Sequence, residues 1–319
     1  MPKTYKVIGI NLKGMPLGES DRLLTLLTRE QGLMRVVAPG ARKHYSKLGG
    51  RSELFVVNHL LIATGRSLDK IVQAETIESF PGLSRDLRKL TAGHYLAELA
   101  LGQAMGDQPQ DELFDLVIEH LGRIAALPGT LAIATLTHAI FHVLTLAGLS
   151  PQVQLCCMTQ QPLSPNFSQA GWRVGFSPAA GGIVQLDHAV GIPRYIDRPR
   201  SGIQQPGQKA EPRITPGHRS PARVQPAIAS IGALELAVLQ RLSQPHLLQS
   251  DGRLMAGVTA DGSVFADDAA SLVEADPIPS DVWLSLERLL RHYAQYHFDR
   301  PIRSADLIET CFAGVPPAP

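Results

Sequence analysis

Residues 21–40 read DRLLTLLTREQGLMRVVAPG, and this stretch decides the fold of the N-terminal part of the chain. Two apolar runs of strand length flank Gln31-Gly32, and a glycine-containing pair between two such runs is typical of a hairpin turn. The second run ends at Ala-Pro-Gly, residues 38–40, and basic residues follow it. The stretch therefore predicts two antiparallel strands, whose partners must come from the flanking residues.

Three further segments supply those partners. YKVIGINLK (5–13) alternates so that Ile8, Ile10 and Leu12 share one face, and MPLGES then turns the chain. LFVVNHLLIATG (54–65) and DKIVQAETIES (69–79) read as the fourth and fifth strands. Five short strands with regularly spaced turn signals predict a small closed barrel, since closure removes exposed edges.

Helical spacing begins after Phe80-Pro81-Gly82. The segment 84–105 predicts a helix with Ser84 as its N-cap, and 111–127 predicts a second helix with acidic residues in its first turns. Further helices are predicted at 130–149, at 229–244, and at 280–298 with Ser280 as N-cap. The predicted fold class is α+β, with a small five-stranded barrel followed by an all-helical domain.

The segment 130–149 has the length of a membrane span and contains no Asp, Glu, Lys or Arg. It also carries His138, His142 and four threonines, and no basic cluster flanks it, so we interpret it as a buried core helix. The N-terminus has no signal-peptide pattern, and three cysteines cannot form a disulfide framework. These features predict a cytoplasmic protein that contacts no membrane.

Charge is segregated along a chain whose net charge is only +1. Residues 1–80 carry 12 Lys and Arg against 7 Asp and Glu, and residues 193–225 carry 7 against 2. The rest of the chain is acidic. Solubility alone requires no such segregation, so the two basic regions point to a polyanionic partner. The predicted domains are 1–80 (barrel), 81–149 (helical), 150–192 (a small Gly/Pro-rich insertion), 193–225 (a basic, Pro-rich disordered loop) and 226–319 (helical).

Enzymatic chemistry finds no support in the residue patterns. His138 and His142 have the i,i+4 spacing of two metal ligands, but the Glu of the zinc-protease pattern is missing, so they are interpreted as core histidines. A G-x-S-x-G nucleophile motif and a phosphate-binding G-x-x-x-x-G-K loop are also missing. We therefore expect no catalytic residue and no enzymatic activity.

Nucleic-acid binding is the function class that remains. An open barrel face binds single strands through cations that contact phosphates and through side-chain planes beneath the bases. The predicted DNA-binding residues are Lys13, Arg35, Arg42, Lys43 and Lys47. Tyr45 is a candidate stacking ring. The alternative is that these cations are merely solvated and that the barrel is a scaffold that binds only proteins.

The segment 18–47, GESDRLLTLLTREQGLMRVVAPGARKHYSK, resembles the N-terminal signature of the bacterial RecO family of recombination mediators. In that family, E-x-D-R leads through L-T-x-E-x-G to V-x-A-x-G-x-R. The matching residues are Glu19, Asp21, Arg22, Gly32, Ala38, Gly40 and Arg42. AETIESF (74–80), HYLAEL (94–99), LAGLSPQVQLC (146–156) and LLRHYAQYHFDRPIRS (289–304) agree as well, so the resemblance covers nearly the whole chain.

The resemblance implies that the barrel is an OB-fold and that the chain is a DNA repair and recombination mediator of the RecFOR pathway, cytoplasmic and nucleoid-associated. The alternative is then an OB-fold protein–protein scaffold of a repair complex without direct DNA contact. Such a protein binds single- and double-stranded DNA and anneals complementary strands. With RecR it helps load RecA onto DNA coated by single-strand DNA-binding protein. No covalent chemistry is implied. The basic loop 193–225 looks like an insertion, either an inert spacer or an auxiliary phosphate-binding tether.

Many members of the family also carry a four-cysteine zinc module, and here the chain departs from the pattern. The four positions fall at Cys156, Thr159, Gln185 and His188. Thr and Gln are poor zinc ligands, and structural zinc requires four nitrogen or sulfur donors. We therefore expect the insertion to be a degenerate zinc-finger-like module without a cofactor.

Overall fold

A computed structural model describes residues 3–188, 228–249, 251–255 and 276–312. The predicted loop 193–225 and the last residues of the predicted insertion, 189–192, lie outside the described residues. Within the described part, an N-terminal β-barrel is followed by helices and by a small second sheet. The predicted α+β class is confirmed.

Five strands close the barrel in the spatial order β1-β2-β3-β5-β4. They are β1 (Thr4–Leu17), β2 (Asp21–Thr28), β3 (Gly32–Ala38), β4 (Val56–Ala63) and β5 (Asp69–Ser79). Neighbouring strands are antiparallel except β3 and β5, which pair in parallel at Val36–Asp69 and Val37–Lys70. The hairpin predicted at Gln31-Gly32 forms, with Gly32 in a left-handed conformation that glycine adopts without steric cost.

β1 is longer than the predicted strand 5–13. It pairs with β4 from Thr4 to Ile10 and with β2 from Gly9 to Leu17, and its register shifts by a bulge between Asn11 and Lys13. Because a bulge bends a strand, the first half of β1 can pair with β4 and its second half can continue along β2 alone. Its second half forms a hairpin with β2 that extends beyond the end of β4, and the turn falls at residues 18–20.

The helices follow in the predicted places with shifted ends. They are α1 (Pro81–Ser84), α2 (Leu87–Gln103), α3 (Asp111–Ala126), α4 (Ala132–Leu146), α5 (Ala233–Arg241), α6 (Ser280–Phe298) and α7 (Asp306–Phe312). Ser84 is not the N-cap of the first long helix, because it belongs to a separate short turn. Asp86 caps α2 instead, accepting a hydrogen bond from the Arg88 N–H at 2.8 Å. Ser280 is likewise the first residue of α6 and not its cap.

α4 is a core helix. Every residue of it from Ala132 to Phe141 is buried, and it packs against α2, α3 and α6. Gly129–Leu146 is the one helical stretch within the described residues that is long and apolar enough for a membrane span. Its burial inside the helical layer accounts for that composition, because a helix surrounded by other helices is apolar on all sides.

The barrel and the helices share one hydrophobic core. Ile10, Leu12 and Leu27 on the barrel's outer surface cluster with apolar residues of α2, α3 and α4, whereas Leu24 and Leu26 fill the barrel interior. The β2–β3 turn also joins the α2–α3 connection through backbone hydrogen bonds, from Leu33 N–H to the Met105 carbonyl and from Gln110 N–H to the Arg29 carbonyl, both 2.8 Å. The helices therefore cover one part of the barrel surface and leave the β1–β2 hairpin free.

A second sheet is formed by two strands of the insertion and by a strand that begins the C-terminal helical part. It has the order β7-β6-β8, with β6 (Arg173–Ser177), β7 (Gly182–Val184) and β8 (Ala229–Gly232). Phe176 of β6 is fully buried and packs edge-on against Tyr293 of α6, with ring centroids 5.7 Å apart. This contact fixes the insertion to the helical body.

Candidate nucleic-acid interface

Two of the predicted DNA-binding residues lie in one cross-strand row. Lys13 on β1 pairs with Thr25 on β2, and Thr25 pairs with Arg35 on β3. Directly paired residues point to the same side of a sheet, so these side chains share the barrel's outer face. Neighbouring strands lie about 4.8 Å apart, which places the backbones of the two cations about 10 Å from each other. Both side chains are exposed.

The next row on the same face is apolar and ends in a lysine. Met15 pairs with Leu23, Leu23 with Val37, and Val37 with Lys70 of β5. Lys70 is exposed and was not among the predicted site residues. Its place depends on the parallel pairing of β3 and β5, which no local pattern in the sequence reveals. The outer face of β1, β2 and β3 thus carries cations on both sides of an apolar strip.

One carboxylate, Asp21, lies at the base of the hairpin turn. Its Oδ1 accepts hydrogen bonds from the Gly40 N–H at 2.8 Å and from the Ser20 hydroxyl at 2.9 Å. These bonds, helped by the charges of Lys43 and Lys70, hold the pKa of Asp21 below its usual range. Both lysines thus lie within electrostatic range of the Asp21 carboxylate, although they are 27 positions apart in the sequence.

Arg42 has an intramolecular role at the same place. Its backbone N–H donates to the Ser20 carbonyl at 2.8 Å, and its Nη1 donates to the Gly18 carbonyl at 3.0 Å. The arginine therefore attaches the loop after β3 to the turn between β1 and β2. Its side chain is exposed, so its other guanidinium donors face solvent.

Lys43, Lys47 and Tyr45 occupy the exposed connection after β3. Tyr45 has a left-handed backbone with φ of 61°, and its ring contacts the edge of His44 at a centroid distance of 4.0 Å. Lys47 accepts a hydrogen bond at its carbonyl from Arg51 at 3.2 Å, and no cross-strand pairing brings it into the rows that contain Lys13 and Lys70. The structure thus brings Lys13 and Arg35 into one row, and Lys43 and Lys70 within electrostatic range of Asp21, but no pairing joins Lys47 to these residues.

The four positions of the zinc pattern do not offer a tetrahedral zinc site. Cys156 is buried, and its Sγ accepts a hydrogen bond from the Gln185 N–H at 3.3 Å. Burial raises the pKa of the Cys156 thiol, but hydrogen bonds from the Thr159 hydroxyl and from three backbone N–H groups outweigh burial and lower it. Neither Thr159 nor Gln185 provides the thiolate or imidazole that zinc requires, and the side chain of His188 lies outside the described residues.

Three histidines meet between α3 and α4. His120 Nε2 lies 3.0 Å from His142 Nδ1, and His138 Nε2 donates to the Gln244 carbonyl at 2.7 Å. Nδ1 of His138 faces Nη1 of Arg123 at 3.5 Å. A guanidinium at this distance occupies the side from which a cation would approach. The described residues contain no group of three or more His, Cys, Asp or Glu arranged to hold a metal ion.

Burial keeps these imidazoles uncharged. It is the largest cause that lowers the pKa of all three rings, and it brings that of His138 to about 3. The nearby charge of Arg123 adds to the effect for each ring. The cluster therefore belongs to the helical core, in agreement with the interpretation of His138 and His142 as core residues.

Comparison with known proteins now identifies the family. Residues 1–80 match the family described as Recombination protein O N terminal, and residues 84–200 match Recombination protein O C terminal. The chain belongs to the RecO family. A protein from Nostoc sp. named DNA repair protein RecO is 49% identical, and the alignment covers 98% of each chain. Proteins of the same name from Acaryochloris marina (49% identical, covering 99% and 98%) and from Cyanothece sp. (48%, covering 100% and 99%) are equally similar. The chain is thus a DNA repair protein of the RecO family, and the predicted resemblance is confirmed.

Proposed function

We propose that this RecO-family chain binds single- and double-stranded DNA and anneals complementary strands, and that with RecR it helps load RecA onto DNA coated by single-strand DNA-binding protein. The observation that carries the proposal is the outer face of β1, β2 and β3, where Lys13 and Arg35 share one row and Lys70 ends the next. Cations arranged along an open barrel face contact phosphates without reading sequence.

Annealing then follows from charge neutralisation. Two complementary strands repel one another, and a protein that binds phosphates lowers this repulsion while it leaves base edges free to pair. The proposed mechanism forms and breaks no covalent bond, so the protein acts as a mediator and not as an enzyme. It also includes no zinc, because Thr159 and Gln185 replace two of the four ligands.

The test is a salt titration of strand binding. Arg35→Gln removes one phosphate contact, so we expect weaker binding of single-stranded DNA and a slope of log K against log salt that is shallower by about 0.7. Lys6→Gln is the matched control, because Lys6 is also an exposed barrel cation but pairs with Leu61 of β4, away from the β2–β3 face. If the affinity of Arg35→Gln equalled that of the wild type and neither affinity depended on salt, the alternative would be favoured, a protein-binding scaffold without DNA contact.

Annealing itself is measured by mixing complementary strands with the purified protein in the absence of nucleotide and metal. We expect the wild type and Lys6→Gln to accelerate duplex formation, and Arg35→Gln to do so less at moderate salt. The RecR-dependent step needs a separate reconstitution, in which RecA filaments form on strands covered by single-strand DNA-binding protein. Loss of annealing with retained loading would separate the two proposed activities.

A further inference from the structure

We infer that the outer face of the β1–β2 hairpin is a contact surface for unpaired bases, in which Met15 and Leu17 touch base faces while Lys13, Arg35 and Lys70 hold the phosphates. This inference rests on the proposed function and adds to it a class of ligand atom, the base, that a purely electrostatic interface would not contact. The occupant is a single nucleic-acid strand. Four features of the structure support it.

The first feature is exposed apolar surface on the outer face of β1, where no other part of the described chain covers it. Met15 and Leu17 are 45% and 37% exposed, and they alternate with Lys13 along the same side of β1. Leu23 and Val37 lie beside them, each only 6% exposed. Neither belongs to the barrel core or to the core shared with the helices. Met15 and Leu17 are therefore the exposed part of a separate apolar strip on the outer face, and Leu23 and Val37 are its nearly buried part.

The second feature is an open strand edge. β4 pairs with β1 no further than Ile10, and the next backbone contact on that side is the Phe55 N–H bound to the Asn11 carbonyl. From Lys13 to Leu17, none of the described strands pairs with this edge of β1. Polar backbone groups thus accompany the apolar strip and can bind the edges of bases that have lost their pairing partners.

The third feature is rigidity at the end of the hairpin. Asp21 accepts from the Gly40 N–H, and Arg42 donates to the carbonyls of Gly18 and Ser20. These bonds hold the turn between β1 and β2 against the loop that follows β3. A surface fixed before binding loses little conformational entropy when a ligand arrives.

The fourth feature is the shape of the surface together with its charge. The strip is a sheet face flanked by cations, and two cavities of the described part lie elsewhere, one beside Lys6 and His59 and one beside Met105 and Leu146. A flat apolar strip between cations fits planar bases joined by phosphates. An amphipathic acidic helix would instead require a groove.

The test compares two ligands of equal charge, an oligothymidine and an abasic strand of the same length, each measured with the full-length protein by fluorescence anisotropy. We expect the wild type to prefer the strand with bases. Met15→Ser/Leu17→Ser removes the apolar contacts, and we expect it to bind oligothymidine about threefold to tenfold more weakly, since less apolar surface is then removed from water when a base binds. Its affinity for the abasic strand and its salt dependence should stay unchanged.

Val72→Ser/Ile77→Ser is the matched control, because both residues are exposed apolar side chains of β5 outside this face. Circular dichroism should show the same thermal transition for all three proteins, since the replaced side chains are on the surface. If Met15→Ser/Leu17→Ser keeps the wild-type preference for bases, the inference is wrong while the proposed function stands. If the wild type binds neither strand, both are wrong. Loss of an acidic protein partner with unchanged strand binding would also overturn the inference.

Discussion

Asp21, Arg22 and Arg42 use their polar atoms within the protein. Asp21 and Arg42 fix the hairpin turn, and Arg22 Nη1 donates to the Ser52 carbonyl and to Glu53 Oε1, both at 2.8 Å. The family pattern E-x-D-R…G-x-R therefore marks residues that shape the β1–β2 hairpin. A substitution at Arg42 would change the hairpin geometry as well as any proposed phosphate contact, so Lys13, Arg35 and Lys70 are the better positions for testing that contact.

Glu98 and Ser304 give a second case in which family residues have structural partners. Glu98 accepts hydrogen bonds from the N–H groups of Arg303 and Ser304, at 2.9 and 2.8 Å, and from the Ser304 hydroxyl at 2.6 Å. The HYLAEL and DRPIRS segments are more than 200 positions apart in the sequence, and this carboxylate joins them. Their resemblance to the family thus reflects the attachment of the C-terminal segment to α2.

Gly32 has a left-handed backbone and is closely approached by two carbonyl groups, so we expect stability to depend on the absence of a side chain there. Its φ is 64°, and a Cβ built there would overlap the Met105 carbonyl oxygen and lie 2.8 Å from that of Gln108. Gly32→Ala must therefore adopt a left-handed conformation, at a cost of about 1–2 kcal/mol, and also push the β2–β3 turn away from the α2–α3 connection. We expect it to lower the free energy of unfolding by about 3 kcal/mol or more, measured by urea titration.

Gly18→Ala is the control for this prediction. Gly18 has a similar φ of 59°, but a Cβ there would meet no atom within 4 Å. Gly18→Ala should therefore lower the free energy of unfolding only by the cost of the left-handed conformation, about 1 kcal/mol. Equal losses for the two variants would mean that the contact between the turn and the helical connection contributes nothing.

At the scale of elements, α3 and α4 bury the histidine cluster in its neutral form. One ring nitrogen of His142 donates to the Leu242 carbonyl, and the other, Nδ1, therefore accepts a hydrogen bond from His120 Nε2. The remaining ring nitrogen of His120, Nδ1, has no hydrogen-bond partner among the described residues. A proton added to that nitrogen would create a buried charge without a counterion. The other titratable or charged groups that face the cluster are Arg123, Glu119 and His246.

This arrangement predicts a loss of stability in acid. A histidine whose pKa is lower in the folded protein takes up its proton on unfolding, so its stability contribution is complete above the unfolded value of 6.5 and is lost below it. For His138 the loss continues down to about pH 3. Each such histidine adds at most about 1.4 kcal/mol per pH unit to the slope. Urea unfolding measured from pH 7.5 down to about pH 5 should therefore show a falling free energy of unfolding.

His120→Met tests whether the cluster is the cause. The variant lacks one buried imidazole, so the number of protons taken up on unfolding near pH 5.5 should fall by up to one, whatever its stability at neutral pH. His44→Gln, in the exposed connection after β3, is the comparison and should keep the wild-type slope. An unchanged slope for His120→Met would show that other groups cause the acid sensitivity.

The elements themselves could be predicted from the sequence wherever a periodic pattern was local. The barrel strands, the acidic start of α3 and the apolar α4 all follow from alternation or helical spacing. The full length of β1 could not be predicted, because a bulge at residues 11–13 changes which neighbour the strand pairs with. The place of Lys70 could not either, since it depends on a parallel contact between β3 and β5 that only closure of the barrel creates.

At the scale of the whole molecule, charge is divided between the basic barrel and the acidic helices. The barrel carries Lys13, Arg35 and Lys70 on its β1–β2–β3 face, and the helices that cover another part of the barrel belong to the acidic part of the chain. Arg29 connects the two parts, because it contacts Asp115 of α3 and lies over the Phe114 ring at 4.8 Å. The β1–β2–β3 face and the helical side are thus parts of one connected body.

The shared core predicts that barrel and helices unfold together. Leu26 and Leu27 are adjacent and both fully buried, but Leu26 lies in the barrel interior and Leu27 in the core shared with the helices. Each Leu→Ala change should lower the free energy of unfolding by about 2–5 kcal/mol. If the molecule is one cooperative unit, both variants should shift a single transition, seen alike by circular dichroism and by the fluorescence of Trp172 and Trp283, which lie outside the barrel.

For independent units, Leu26→Ala would shift only the circular dichroism signal of the barrel and leave the tryptophan transition in place. That outcome would contradict the shared core, because the contacts of Ile10, Leu12 and Leu27 with the helices would then contribute too little to couple the two parts.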